Sequence, residues 1–86
     1  MTLEQALLAA RTLDQKHLAP ICSKIERDSG GKTLAHLRWM VQEMHQEMSN
    51  NKAMRWLGYI QGILVGVYGV SLDAMKDLSR DAALSA

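Results

Sequence analysis

The chain is poor in cysteine, proline and aromatic residues. Cys22 is the only cysteine among 86 residues, which excludes an internal disulfide and any multi-cysteine zinc or iron–sulfur site. Such cysteine usage fits a reducing cytoplasm. The aromatic residues are two tryptophans and two tyrosines, with no phenylalanine. The single proline, Pro20, is expected either to kink the first helix or to begin a further short helix.

An excess of charge of one sign is also lacking. Ten Lys and Arg residues against nine Asp and Glu residues give a net charge of +1, so no long-range field favours nucleic acid or an anionic membrane. The most apolar stretch, residues 56–70, would span about 22 Å as a helix, which is short of the roughly 30 Å hydrocarbon core of a bilayer. Glu4 and the interrupted apolar pattern of the first residues disfavour a signal peptide. We therefore expect a cytoplasmic protein.

Apolar residues follow helical spacing along most of the chain, and no segment reads as a strand. Thr2 and Gln5 have the spacing of a capping box, which predicts that the first helix begins there. Thr33 is a suitable N-cap for a second clear helix, and Ser71 for a short last one. Residues 81–86 are expected to fray.

Two helices form the predicted centre of the fold. Their apolar seams repeat at spacings of three and four, and consist of Leu34, Leu37, Val41, Met44 and Met48 in one helix and Ala53, Leu57, Ile60, Leu64 and Val67 in the next. The polar turn 49–51 between them should reverse the chain. The prediction is an all-α bundle of four to five short helices around an antiparallel hairpin from Thr33 to Gly69, in one domain of residues 1–86.

Gly58, Gly62 and Gly66 form a stripe along one face of the second hairpin helix. Each glycine inside a helix costs roughly 1 kcal/mol relative to alanine, so the stripe should be used for close packing. One interpretation is packing within the chain, with Met40 facing Gly62 and Met44 facing Gly58. The other is a homodimer that uses the stripe, with Trp56 and Tyr59 as further self-association elements.

Cations and aromatic residues stand side by side at two places in the sequence. Arg38 adjoins Trp39, and Lys52 and Arg55 precede Trp56. Such pairs can bind a partner protein, in which Trp, Tyr and Arg often dominate the binding energy, or can stack on nucleic acid bases. The alternative is a solvated ion cluster in which Glu43 and Glu47 neutralise the cations. Met40, at the edge of its seam, is a further candidate for partner contact, because methionine adapts to varied shapes.

Residues for catalysis or metal binding are sparse. His17, His36 and His45 are not spaced three or four apart, and His36 and His45 fall on opposite faces of a helix. A lone Cys22 without a neighbouring base is more typical of a small apolar core residue than of a nucleophile. We expect no enzyme activity, no metal and no cofactor.

The segment KAMRWLGYIQGILVGVYGVSLDAMKDLSRD, residues 52–81, resembles the C-terminal part of small orphan accessory proteins of temperate bacteriophages and prophages. The residues that carry this resemblance are Arg55, Trp56, Leu57, Gly58, Ile60, Gln61, Gly62, Ser71, Leu72 and Met75. It implies a non-catalytic protein that binds a bacterial cytoplasmic protein and inhibits or redirects it. The alternative function is a small nucleic-acid-binding transcriptional regulator.

Overall fold

A computed structural model describes residues 1–84, and all regular secondary structure over that range is helical. The helices are α1 (Leu3–Leu13), α2 (Leu34–Glu43), α3 (Asn50–Gly66) and α4 (Leu72–Leu84), and a π-helical turn at Asp14–Leu18 continues α1. No strand occurs within residues 1–84. The radius of gyration of the Cα atoms is 11.9 Å. The all-α prediction is confirmed.

Hydroxyl side chains cap the helices at Thr2, Thr33 and Ser71, as the sequence predicts, and also at Ser49, which the sequence interpretation places in a polar turn. Thr2 Oγ1 accepts a hydrogen bond from the Gln5 backbone N–H at 3.2 Å, and the Gln5 side chain accepts one from the Thr2 backbone N–H at 2.7 Å. Thr33, Ser49 and Ser71 each accept a backbone N–H from three residues further on. These bonds satisfy donors that a helix start leaves without partners, so they fix where each helix begins.

The core formed within residues 1–84 consists of Ala, Leu, Ile, Val and Met side chains, with no aromatic side chain among its buried members. Its largest fully buried side chains are Leu13, Leu18, Leu37, Ile60 and Leu64. Met44 and Met48 are also buried, as their place in the apolar seam predicts. Trp39 and Trp56 only border this core, and both remain half-buried.

The first helix, rather than the predicted α2–α3 hairpin, makes the main helix contacts. α1 contacts both α3 and α4, and its π-helical continuation contacts α2. The predicted pairing of Met40 with Gly62 and of Met44 with Gly58 is wrong, because a Cβ added at Gly58, Gly62 or Gly66 would meet no atom within 4 Å. Gly58 and Gly62 each lie two residues from buried Ile60, about 160° around the helix. The stripe therefore faces away from the core.

One further prediction is corrected at a helix end. α2 ends at Glu43 and Met44 is extended, so the helical seam does not continue to Met48. At the other end of the chain, α4 continues through Leu84 with Ala82 buried, and the expected fraying of residues 81–86 stays a prediction. Gln5 Nε2 also donates to the Ala83 carbonyl at 2.8 Å, which ties the end of α4 to the start of α1. Residues 85–86 lie outside the described range.

No helix in residues 1–84 is long and apolar enough to cross a membrane.

Candidate functional site

A shallow groove between α2 and α3 gathers most of the chain's aromatic residues at the surface. It has a volume of about 390 Å³. We call it the aromatic groove and define it by its lining residues, His36, Trp39, Met40, Arg55, Trp56 and Tyr59. Three of the four aromatic side chains of the chain, counting Trp and Tyr, are among them.

The rings in the groove contact one another in tilted pairs. The ring centroids of Trp39 and Trp56 lie 6.2 Å apart at 34°, and those of His36 and Trp39 lie 5.3 Å apart at 37°. His36 and Trp39 meet because residues three apart lie on the same face of α2. The Asp28 backbone N–H donates to His36 Nδ1 at 3.0 Å, which fixes the imidazole ring against this wall. The rings therefore form one continuous wall of the groove.

Three cations flank the aromatic groove. The Arg27 guanidinium carbon lies 5.4 Å from the centroid of the Trp39 ring, and Lys52 Nζ lies 5.1 Å from that of Trp56. Arg55 lines the groove itself. Among the described residues none of these three side chains is in an ion pair: the ion pairs found there join Lys24 to Glu26, Arg38 to Asp14 and Arg80 to Asp77. The predicted ion cluster with Glu43 and Glu47 is not formed within residues 1–84.

Arg38 is not part of this surface. Its Nε and Nη2 atoms donate to the two carboxylate oxygens of Asp14 at 2.8 and 3.1 Å, and its Nη1 donates to the carbonyls of Cys22 and Ser23. The side chains of Arg38 and Asp14 are only 13% and 9% exposed. Hydrogen bonding to Asp14 raises the pKa of Arg38 above its already high ordinary value, so the guanidinium stays charged at neutral pH. Its position supports a role in folding and not in partner contact.

Tyr59 joins the groove to the non-helical segment 19–33. Its hydroxyl donates to the Gly31 carbonyl at 2.7 Å, and the Tyr68 hydroxyl donates in the same way to the Lys32 carbonyl at 2.6 Å. Gly31 has a φ of +73°, and a Cβ there would lie 3.1 Å from the Tyr59 hydroxyl oxygen. Glycine at this position therefore permits both the turn and the close approach of the tyrosine.

Of the ten residues that the sequence singles out, the structure brings five together in the groove. These are Trp39, Met40, Arg55, Trp56 and Tyr59, with Lys52 beside them on the Trp56 ring. Met40 is 7% exposed and belongs to the groove floor. Gly58, Gly62 and Gly66 lie on the exposed face of α3, with no atom of the chain opposite them.

Two groove neighbours are missed by the sequence interpretation, His36 and Arg27. His36 stands three residues before Trp39, and that helical spacing could have revealed it. Arg27 has no such signal, because it reaches Trp39 only through the path of the non-helical segment.

Within the part of the chain that the structure describes, no three His, Cys, Asp or Glu side chains are placed to hold a metal ion. Comparison with protein-family models, with curated proteins and with solved structures finds no match to this chain. The function must therefore be inferred from the side chains of the groove. They offer aromatic rings, a thioether and cations, which are groups that suit binding.

Proposed function

We propose that this chain is a non-catalytic binding protein whose aromatic groove engages a partner protein. The observation that carries the proposal is the placement of the aromatic residues. In a chain with only four Trp and Tyr residues, three line one surface groove, and none is among the buried side chains of the core that residues 1–84 form. Large aromatic residues left half-buried at the surface retain apolar area that a partner can cover.

The residue types in the groove match those that dominate binding energy at protein interfaces. Trp, Tyr and Arg are enriched among interface residues whose truncation costs most, and the groove contains all three types. Met40 on its floor supplies an adaptable apolar contact. The rings are also held in place by their mutual contacts, so little side-chain freedom remains to be lost on binding.

The partner that we propose is a bacterial cytoplasmic protein, which the chain inhibits or redirects. This part rests on the resemblance of residues 52–81 to phage accessory proteins. We propose further that the chain forms a homodimer through Gly58, Gly62 and Gly66. The support for that is the cost of glycine inside α3 together with the open space that faces the stripe.

A pair of matched tyrosine variants tests the groove. Tyr59 and Tyr68 are 40% and 39% exposed, and each hydroxyl donates to a carbonyl of the same turn, yet only Tyr59 lines the groove. Tyr59→Ala should reduce capture of a partner at least about tenfold, a loss that removal of an interface anchor typically produces. Tyr68→Ala should leave capture nearly unchanged.

The measurement is a tagged pull-down from nuclease-treated bacterial lysate, with the retained proteins quantified by mass spectrometry. Both variants are first compared with the native chain by circular dichroism and thermal unfolding. One protein retained in proportion to the bait by the native chain and by Tyr68→Ala, but not by Tyr59→Ala, supports the proposal. Equal retention by both variants would contradict it. Loss of all bound material on nuclease treatment would favour the nucleic-acid-binding regulator.

A further inference from the structure

We infer that the partner element that enters the aromatic groove is an acidic amphipathic segment, with apolar side chains seated against Trp39 and Trp56 and carboxylates paired with the flanking cations. This inference rests on the proposed function, because it names the chemistry of the partner at the same groove. It is carried by the juxtaposition of an apolar groove with Arg27, Lys52 and Arg55.

The cations around the groove would complement carboxylates on a partner. Arg27, Lys52 and Arg55 surround the groove, and none of them has a carboxylate partner among residues 1–84. The chain as a whole carries a net charge of only +1, so the charge presented at the groove is set by these nearby cations and not by an overall excess of positive charge. Carboxylates on a partner would complement that local field, whereas lysines on a partner would be repelled.

Each indole ring already contacts a cation. Arg27 lies over Trp39, Lys52 lies over Trp56, and the two indoles also contact each other. A nucleic acid base needs an open ring face for stacking, so it would have to displace these contacts. A carboxylate can pair with the same cations where they stand, while an apolar side chain packs against the half of each indole that stays exposed without separating the two rings.

The surroundings of the groove favour a helical partner segment. The groove lies between two helices, and the described residues contain no strand to which an extended peptide could add. A helix laid into the groove, with anchors three and four residues apart, is a recognition mode that suits such a surface. A helical segment also presents carboxylates on both sides of its apolar face, in reach of cations on both sides of the groove.

The test uses synthetic peptides of about 16 residues, long enough for partial helicity. The first carries leucines at helical spacing flanked by glutamates. Matched peptides carry glutamine or lysine in place of every glutamate, and an oligothymidine is the nucleic acid probe. None of the probes contains Trp or Tyr. Both tryptophans of the chain lie in the groove, so tryptophan emission reports binding there directly.

The glutamate peptide should change the emission and bind about tenfold or more tightly than the glutamine peptide, as a few exposed ion pairs would produce. The lysine peptide should not bind detectably. Raising the salt concentration from about 0.05 M to about 0.5 M should remove most of the advantage of the glutamate peptide, since ions screen exposed charges. Equal affinity of the glutamate and glutamine peptides would overturn the inference and leave the groove a protein-binding site.

Charge-reversal variants test whether the preference for the glutamate peptide comes from the cations at the groove. Arg55→Glu and Lys52→Glu should each weaken the glutamate peptide several-fold and should weaken the glutamine peptide less, because only the glutamate peptide loses an ion pair. Lys52→Glu should fold normally, because a carboxylate in the first turn of α3 suits the helix dipole. Lys76→Glu makes the same change on the exposed face of α4 and should have no effect. Equal effects of all three variants, or failure of every peptide to bind, would overturn the inference, and binding of the oligothymidine alone would contradict the proposed function as well.

Discussion

Arg38→Met is expected to lower the free energy of unfolding by about 3 kcal/mol, the largest effect that we predict for any single substitution in this chain. The variant removes the partner of the Asp14 carboxylate, whose side chain is only 9% exposed in the native chain. The carbonyls of Cys22 and Ser23 lose a donor at the same time. A domain of this size is stable by only about 5–10 kcal/mol, so the melting temperature should fall by more than about 10 °C.

Urea unfolding and calorimetry measure this loss, and Arg80→Met is the matched control. Arg80 pairs with Asp77 at 2.6 Å, but these side chains are 66% and 59% exposed, so the pair should contribute less than about 1 kcal/mol. Similar losses for Arg38→Met and Arg80→Met would show that burial of the Asp14–Arg38 pair has no energetic consequence. That result would contradict the role in folding that we assign to Arg38.

The double variant Asp14→Leu with Arg38→Met separates two contributions. Removing both charges eliminates the unpaired carboxylate, so the double variant should be more stable than Arg38→Met alone. It should not reach the native stability, because Arg38 also anchors the segment 19–33 through two carbonyls. A double variant no more stable than Arg38→Met would show that those carbonyl bonds account for the whole effect.

Gly58→Ala combined with Gly62→Ala is expected to raise the free energy of unfolding by about 2 kcal/mol, since each glycine inside a helix costs about 1 kcal/mol relative to alanine. Both positions lie inside α3, and an added Cβ would meet no atom of the chain within 4 Å. The gain arises because alanine has fewer unfolded conformations to lose. Chemical denaturation at low protein concentration, where self-association contributes least, measures it.

The same substitution at Gly31 should act in the opposite direction. Gly31 has a positive φ, and its Cβ would crowd the Tyr59 hydroxyl, so Gly31→Ala should cost about 1 kcal/mol or more. If alanine lowers the free energy of unfolding at Gly31 and raises it at Gly58 and Gly62, then backbone geometry and open space decide whether alanine is stabilising. Destabilisation by the double variant Gly58→Ala with Gly62→Ala would mean that another surface approaches the stripe.

Gly62→Leu addresses the proposed homodimer. A side chain at this position begins in open space, so a change in solution mass would report on a second copy and not on the fold. We expect sedimentation to show a dimer for the native chain and a monomer for Gly62→Leu. The same mass for both would contradict self-association through the stripe.

Local signals made part of the fold predictable. The caps at Thr2, Thr33 and Ser71 depend on a side chain and a backbone N–H three residues away, and each forms as predicted. The seams of α2 and α3 mark buried residues, although Val67 at the end of one seam is 55% exposed. Which helix packs against each seam depends on contacts between residues far apart in the sequence. The dominant contacts of α1 therefore could not be deduced from periodicity alone.

The candidate site was predictable to a similar degree and for the same reason. Cations next to aromatic residues in the sequence indicated a surface patch, and Trp39, Trp56 and Arg55 do line one groove. Arg38 carries the same sequence signal, but the π-helical turn after α1 places a buried carboxylate, Asp14, within its reach. Nothing in the local pattern distinguishes the arginine that folds inward from the one that stays at the surface.

The most direct measurement of groove binding is fluorine NMR of the chain labelled with 5-fluorotryptophan and mixed with the unlabelled partner protein from the pull-down. The label gives two resonances, one each for Trp39 and Trp56, and the partner contributes none. If the groove is the binding site, both resonances shift or broaden in proportion to the partner bound, and Tyr59→Ala weakens the response. If both resonances stay unchanged while sedimentation shows the complex to be formed, the partner binds elsewhere and the groove is not the site.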